Sequence, residues 1–193
     1  MSRQTEVRGG GPNRTLIIAG AAVVIILGGL VYLLFLNTRP AQAIEGLISY
    51  PNSQGNEHDI NLTFEELPPL PPHGGPHNPS WQNCGVYREP VRPEHAIHSL
   101  EHGIVWISYR PDLDQADVDK LEALVTGQSH LLLAPYPGLQ SPIVLTTWTY
   151  QLEVDDADDD RIQLFIDRYL FDRASAPEVG ASCSGQTGNP IDR

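Results

Sequence analysis

Between Thr15 and Leu36 the chain reads TLIIAGAAVVIILGGLVYLLFL, 22 residues without a charge. As an α-helix this run would extend about 33 Å, enough to cross the hydrocarbon core of a bilayer. Arg3, Arg8 and Arg14 precede it, whereas Arg39 is the only cation between it and Arg88. The positive-inside rule therefore sets the N-terminus in the cytoplasm and the remainder outside. The expected organisation is a cytoplasmic tail over 1–14, a transmembrane helix over 15–36, a juxtamembrane linker over 37–43, an extracytoplasmic domain over 44–188 and a loose tail over 189–193. The implied partner is the lipid bilayer, through residues 15–36, in a single-pass cell-membrane protein. A cleaved secretory signal is the alternative, because Ala41-Gln42-Ala43 offers a small-x-small cleavage site. The apolar run is longer than the roughly 7 to 15 residues of a signal core, which favours a retained anchor.

Charge separates the two sides of this run. Residues 1–39 hold four arginines against one glutamate, a net of +3, within a chain whose total is −12, so the rest carries −15. A domain of that sign repels phosphate backbones, which excludes nucleic acid as a partner. The same location bears on Cys84 and Cys183, the chain's two cysteines. In an oxidising compartment two such residues are expected to pair, and neither stands in a CxxC or CxxCH context that would indicate redox chemistry or haem attachment.

The periodicities beyond the linker describe an α+β domain. A short strand is expected near Leu47–Tyr50. Prolines at 68, 69, 71, 72, 76 and 79 forbid both a helix and a central strand, so this long Pro/Gly-rich segment is read as an ordered loop wrapped on the domain. Glu94–His102 reads as a short helix ended by Gly103. Strands follow at 104–109, 130–135 and 143–154, with Pro137-Gly138 as turn chemistry between the last two, which are expected to pair antiparallel. A helix capped by Asp114 runs to about Thr126. Another covers 158–171, with Ile162, Phe165, Ile166, Tyr169 and Leu170 on one face. The acidic run 155–160 lacks the glycine and closing glutamate of a calcium loop and suits a helix start instead. The order β-α-β-β-α suggests helices on one face of a small sheet, and the tail from Ala174 should be loose except at Cys183.

Chemistry concentrates in histidine. Five of the seven histidines, His73, His77, His95, His98 and His102, fall within 30 residues. His98 and His102, four apart on a helix, project from one face, and imidazole nitrogens suit zinc or copper. His98-Ser99-Leu100-Glu101-His102 also matches H-x-x-E-H, the inverted zinc-peptidase pattern, in which the glutamate activates water. That pattern needs a longer helix and a further acidic ligand, so Glu101 is read as orienting a histidine or as an ordinary ion partner.

The succession PPHGGPH, NCGVY, HAIHSLEHGIVWISYRPDL and PEVGASCSG resembles a bacterial family without assigned activity, domain-of-unknown-function family 3105, over residues 44–188. Its members are often membrane-anchored. The resemblance holds at Gly75, Pro76, His77, Gly85, Tyr87, His98, Glu101, His102, Gly103 and Tyr109. His73 departs from it, since a small hydroxyl residue is usual there. The resemblance implies a Cys84–Cys183 disulfide and narrows the metal ligands to His77, His98 and His102, with His73, His95 and Glu101 as further ligand or supporting candidates. Three functions follow: a transition-metal site (copper or zinc), a metal-free assembly module beside a membrane-protein partner, and, least favoured, a small metallohydrolase. No catalytic residue is assigned.

Overall fold

The computed structural model describes residues 14–37, 42–51 and 55–191, and the chain divides into two compact units after Ala43. The expected cytoplasmic tail before Arg14, linker residues 38–41 and the last two residues lie outside the described residues. The first unit contributes one helix, α1 (Arg14–Asn37). Among the described residues no helix is long and apolar enough to cross a membrane, the described side chains of α1 being Ile18 and residues 23–33. The structure thus supports a helix where the span was expected and not, by itself, a membrane crossing.

The second unit is a mixed α and β domain. Its strands are β1 (Ile48–Ser49), β2 (Gly85–Val86), β3 (Val105–Tyr109), β4 (Leu131–Pro135), β5 (Ile143–Thr146) and β6 (Tyr150–Val154). Its helices are α2 (Pro93–Glu101), α3 (Gln115–Val125) and α4 (Asp160–Tyr169). The strands form one sheet in the order β1-β6-β5-β3-β4-β2. β2, β4 and β3 run parallel, while β3, β5, β6 and β1 are joined antiparallel.

This order corrects two expectations. Strands 131–135 and 143–146 do not pair, because β3 lies between them. The apolar run 143–154 is not one strand but a hairpin, β5 to β6. Its turn contains no Gly, Pro, Asn or Asp. Instead the Thr147 amide donates to the Tyr150 carbonyl at 2.8 Å, and the Thr147 hydroxyl accepts the Tyr150 amide at 3.1 Å. A threonine hydroxyl has replaced the usual turn residue, which is why composition concealed the break.

A third correction concerns the layers: helices cover both faces of the sheet. The chain crosses from β2 to β3 through α2, then returns from β3 to β4 through α3. Parallel crossovers are right-handed, so two crossovers travelling in opposite directions must lie on opposite faces. One core accordingly joins Val118, Leu121 and Val125 of α3 and Ile162, Phe165 and Ile166 of α4 to Val105, Ile107, Leu133, Leu145 and Leu152. The other joins Ala96, Ile97 and Leu100 of α2 to Trp106, Leu132 and Val144. β3 is buried along its whole length, as its uninterrupted apolar sequence requires. The expected acidic helix start is realised at α4, where the Asp159 carboxylate accepts the Arg161 amide at 2.9 Å. Asp114 stands at the N-cap of α3 but makes no side-chain cap bond.

The proline segment is the ordered loop expected. The Tyr136 hydroxyl donates to the Pro68 carbonyl at 3.0 Å, and the Gln151 amide donates to that of Pro71 at 2.6 Å. The tail from Ala174, by contrast, is not loose. Glu178 and Gly180 amides donate to the carbonyls of Glu101 and His102, both at 3.0 Å, and Thr187 bridges to Gln82 as a parallel partner. The tail thus supplies donors to carbonyls at the end of α2 that the helix itself leaves unpaired. Cys84 and Cys183 stand at disulfide distance, their Cα atoms 5.4 Å apart across a sequence separation of 99. In the chain-entropy model, closing a loop of that length contributes up to about 4.7 kcal/mol.

Gly103 joins these parts. Its φ is +85°, and an added Cβ would lie 3.1 Å and 3.3 Å from the Val179 methyls and 3.4 Å from the Phe171 Cα. Gly127 has φ +79° but open space around a Cβ. Gly103→Ala should therefore cost roughly 2–3 kcal/mol, conformational strain plus a clash with the tail, and Gly127→Ala only about 1 kcal/mol. Urea unfolding of the two variants checks the difference; equal losses would contradict the close approach of the tail.

Candidate metal centre

Helix α2 begins with Pro93, whose missing amide costs nothing at a first helical position. One face of the helix, Ala96, Ile97 and Leu100, enters the core. The other side is covered by loop 78–82, because the Asn78 and Gln82 amides donate to the carbonyls of Glu94 and His95, each at 3.0 Å, and the Ser99 hydroxyl donates to that of Gln82 at 2.7 Å. All nine residues of α2 are consequently buried. His98 and Glu101, three apart, project together on the covered side. The loop brings His77 to them, and segment 55–59 brings His58, pairing with the loop as His77 amide to Glu57 carbonyl at 3.0 Å and Asp59 amide to His77 carbonyl at 2.9 Å.

The result is a group of four donors, His58, His77, His98 and Glu101, with one ligand atom from each lying within 4.8 Å of all the others. The His77 Nε2 lies 3.0 Å and the His58 Nε2 3.6 Å from Glu101 Oε2. Tetrahedral bonds of about 2.0–2.1 Å to a zinc ion would set ligand atoms about 3.3 Å apart, so these two pairs already have the spacing of shared ligands. The rings are mutually packed, with centroids of His58, His77 and His98 separated by 4.7–4.8 Å. Trp148 and Trp81 stand edge-on to His77 and His98 at 5.7 Å and 5.6 Å, walling the group with apolar surface.

Protons are assigned by the partners. His77 Nδ1 faces the Gly75 carbonyl and His98 Nδ1 the Asn78 carbonyl, both at 2.8 Å. A carbonyl oxygen only accepts, so each Nδ1 carries hydrogen and each Nε2 is left for the centre of the cluster, the arrangement usual for metal-bound imidazoles. His77 is then confined between two acceptors, the Gly75 carbonyl and the Glu101 carboxylate. Its Nε2 must either hold a second proton or share a cation with the carboxylate. Glu101 is fully engaged too, since its other oxygen, Oε1, accepts from Asn56 Nδ2 at 2.9 Å. Burial would raise the Glu101 carboxyl, but hydrogen bonds from His77 and Asn56 and the neighbouring imidazoles outweigh it and hold the group well below the usual carboxylate range. Burial pushes His98 down from 6.5 to about 4; its bond to Asn78 opposes this, while His77, His102 and His58 add to it. At neutral pH His98 presents a lone pair.

The donor group differs from the expected ligand set by the absence of His102 and the presence of His58 and Glu101. His77 and His98 come together as expected, and Glu101 joins them, but His102 does not belong to the donor group. Helix α2 ends at Glu101, and His102, at the C-cap, sends Nδ1 to the Ser182 carbonyl at 2.7 Å and Nε2 to within 4.0 Å of Glu178. Its ring touches that of His98, with centroids 4.9 Å apart, without adding a ligand atom. His95 Nδ1 faces the Ser80 carbonyl, and His73 stacks on Tyr50 at 3.7 Å. Neither joins the group. Glu101 is engaged at both oxygens, by His77 and by Asn56. Sequence reading missed His58 and Asn56. They lie in a segment without periodicity, and only the pairing with residue 77 brings them in.

The chain belongs to the family described as protein of unknown function (DUF3105). Its model matches residues 63–185, which takes in His77, His98, Glu101 and both cysteines of the DUF3105 domain and begins beyond His58. No curated protein and no solved structure matches the chain.

The low value of His98 has a consequence for the metal-free domain. The folded state binds fewer protons than the unfolded chain, so the stability His98 contributes is present above pH 6.5 and lost as pH falls towards 4. Urea titrations should show unfolding free energy falling by roughly 2 kcal/mol from this group between pH 7.5 and 5. His98→Asn should flatten that dependence, and an unchanged slope in the variant would refute the assignment.

Proposed function

We propose that this chain is a membrane-tethered protein whose DUF3105 domain, on the extracytoplasmic side, binds a divalent transition metal through His58, His77, His98 and Glu101. The observation that carries the reading is the convergence of the four donors within 4.8 Å, three of them buried, with the Nδ1 atoms of His77 and His98 committed to backbone carbonyls. A carboxylate held well below its usual range beside converging imidazole nitrogens, in a buried site, is the setting that a shared cation suits. The donor set of nitrogen and carboxylate oxygen suits Zn²⁺ or Cu²⁺. Soft sulfur is absent from it: the single methionine is Met1, and both cysteines are paired with each other. Cu⁺, which prefers thiolate and thioether ligands, is therefore disfavoured. The uncharged run 15–36 and the arginines before it support the tether, and the paired cysteines suit an oxidising compartment.

One observation favours a second reading, a metal-free assembly module beside a membrane-protein partner. The His77–Glu101 contact at 3.0 Å, with neither side chain exposed, is a hydrogen-bonded pair that needs no ion to complete it. In that case the histidines would be structural.

Elemental mass spectrometry on the full-length chain, purified without a His tag, distinguishes the two. One ion per chain is expected in the wild type and in His102→Ala, with loss in His98→Ala and Glu101→Gln. A folded wild-type protein that stays empty after incubation with zinc and with copper would leave the assembly module. Loss of metal from His102→Ala alone would restore the sequence-based ligand set.

A further inference from the structure

The four donors are not equally held. The side chains of His77 and Glu101 are 0% exposed and His98 is 4% exposed, whereas 44% of the His58 side chain faces solvent. The buried three are each oriented by a hydrogen bond from outside the cluster: His77 on the Gly75 carbonyl, His98 on the Asn78 carbonyl, Glu101 on Asn56. No such bond orients His58 among the described residues. Its backbone is pinned by the pairing of residues 57–59 with His77, while its ring lies against His98 with planes 17° apart. The main chain is held by these bonds, and nearly half of the side chain borders water.

We propose that His58 is the exchange ligand of this centre, so that the ion enters and leaves on the His58 side. The inference rests on the reading of the cluster as a metal centre. Release of a chelated ion must detach donors one at a time. Detaching His77, His98 or Glu101 gives the freed atom no water to bind, in a site walled by Trp81 and Trp148, which is costly. Detaching His58 returns an imidazole to water and restores its rotamer freedom. The vacated position then admits a competing donor, either a small chelator or a donor side chain of another protein. A structural metal site is closed on all sides. This one has a single swinging ligand over three rigid ones, the arrangement of a domain that passes a divalent cation on.

The test is the rate at which a large excess of EDTA removes Zn²⁺ from the full-length loaded protein. His58→Ala should still take up zinc, because three donors remain, but release it at least about tenfold faster, since changes within one site act mainly on dissociation. Wild-type release should also be insensitive to urea below the unfolding transition, because no domain opening is needed. Equal release rates in wild type and His58→Ala, or release that accelerates with mild urea, would overturn the exchange role and leave the metal centre standing. A folded His58→Ala protein, verified by near-UV circular dichroism, that takes up no zinc would equally overturn it. Wild-type protein that binds no zinc would remove the underlying reading itself.

Discussion

A carboxylate and an imidazole, Glu101 and His77, meet at 3.0 Å with neither side chain exposed to solvent. Most of what is particular to this domain depends on that contact. A buried carboxylate without compensation is costly, and removing one member of such a pair is destabilising by about 3–5 kcal/mol. The contact therefore requires that the three pieces of chain around it be brought to fixed positions: the end of α2, the proline loop and segment 55–59. Glu101 could not remain charged there if Asn56 and His77 were not held in place, and neither of those lies on a regular element.

The fold supplies the holding from outside the site. Proline locks the loop backbone and removes donors that would need partners, while Tyr136 and Gln151 take the carbonyls of Pro68 and Pro71. The C-terminal end of α2, which bears Glu101, is closed by the tail, tied to Cys84 through Cys183 and by backbone bonds from Glu178 and Gly180. A nine-residue helix has little stability alone. Here both termini and both sides are covered, and its polar face can be given to chemistry. His58 is held differently: backbone bonds of residues 57–59 to His77 fix its main chain, while no bond from outside the cluster orients its ring among the described residues.

The elements with strong local signatures were legible. Gly103 as the stop of α2, the apolar stripe of α4 and the buried strand β3 follow from backbone freedom, period 3.6 and a β-branched run, each a property of neighbouring residues. The hairpin at Thr147 was not, because a hydroxyl took the place of a glycine. The helix layers were misread for a different reason: the handedness of a crossover becomes informative only when strand order is known, and β2, two residues long, has no sequence signal. In the site, His77, His98 and Glu101 could be nominated from clustering and resemblance. His102 was nominated with them on i, i+4 spacing and resemblance; its ring does lie against His98, but its nitrogens face Ser182 and Glu178 instead.

What the sequence determined by itself is the supply of chemistry and its surroundings: the histidine-rich block, the scarcity of sulfur, the acidic domain and the uncharged run before it. These are composition and local pattern, and they survive any packing. Which imidazoles share one centre was decided only by tertiary structure, because it is a matter of distances below 5 Å between histidines 19 to 40 positions apart. Those distances are set by where α2 stops, by how residues 57–59 pair with the loop, and by which carbonyl each Nδ1 finds.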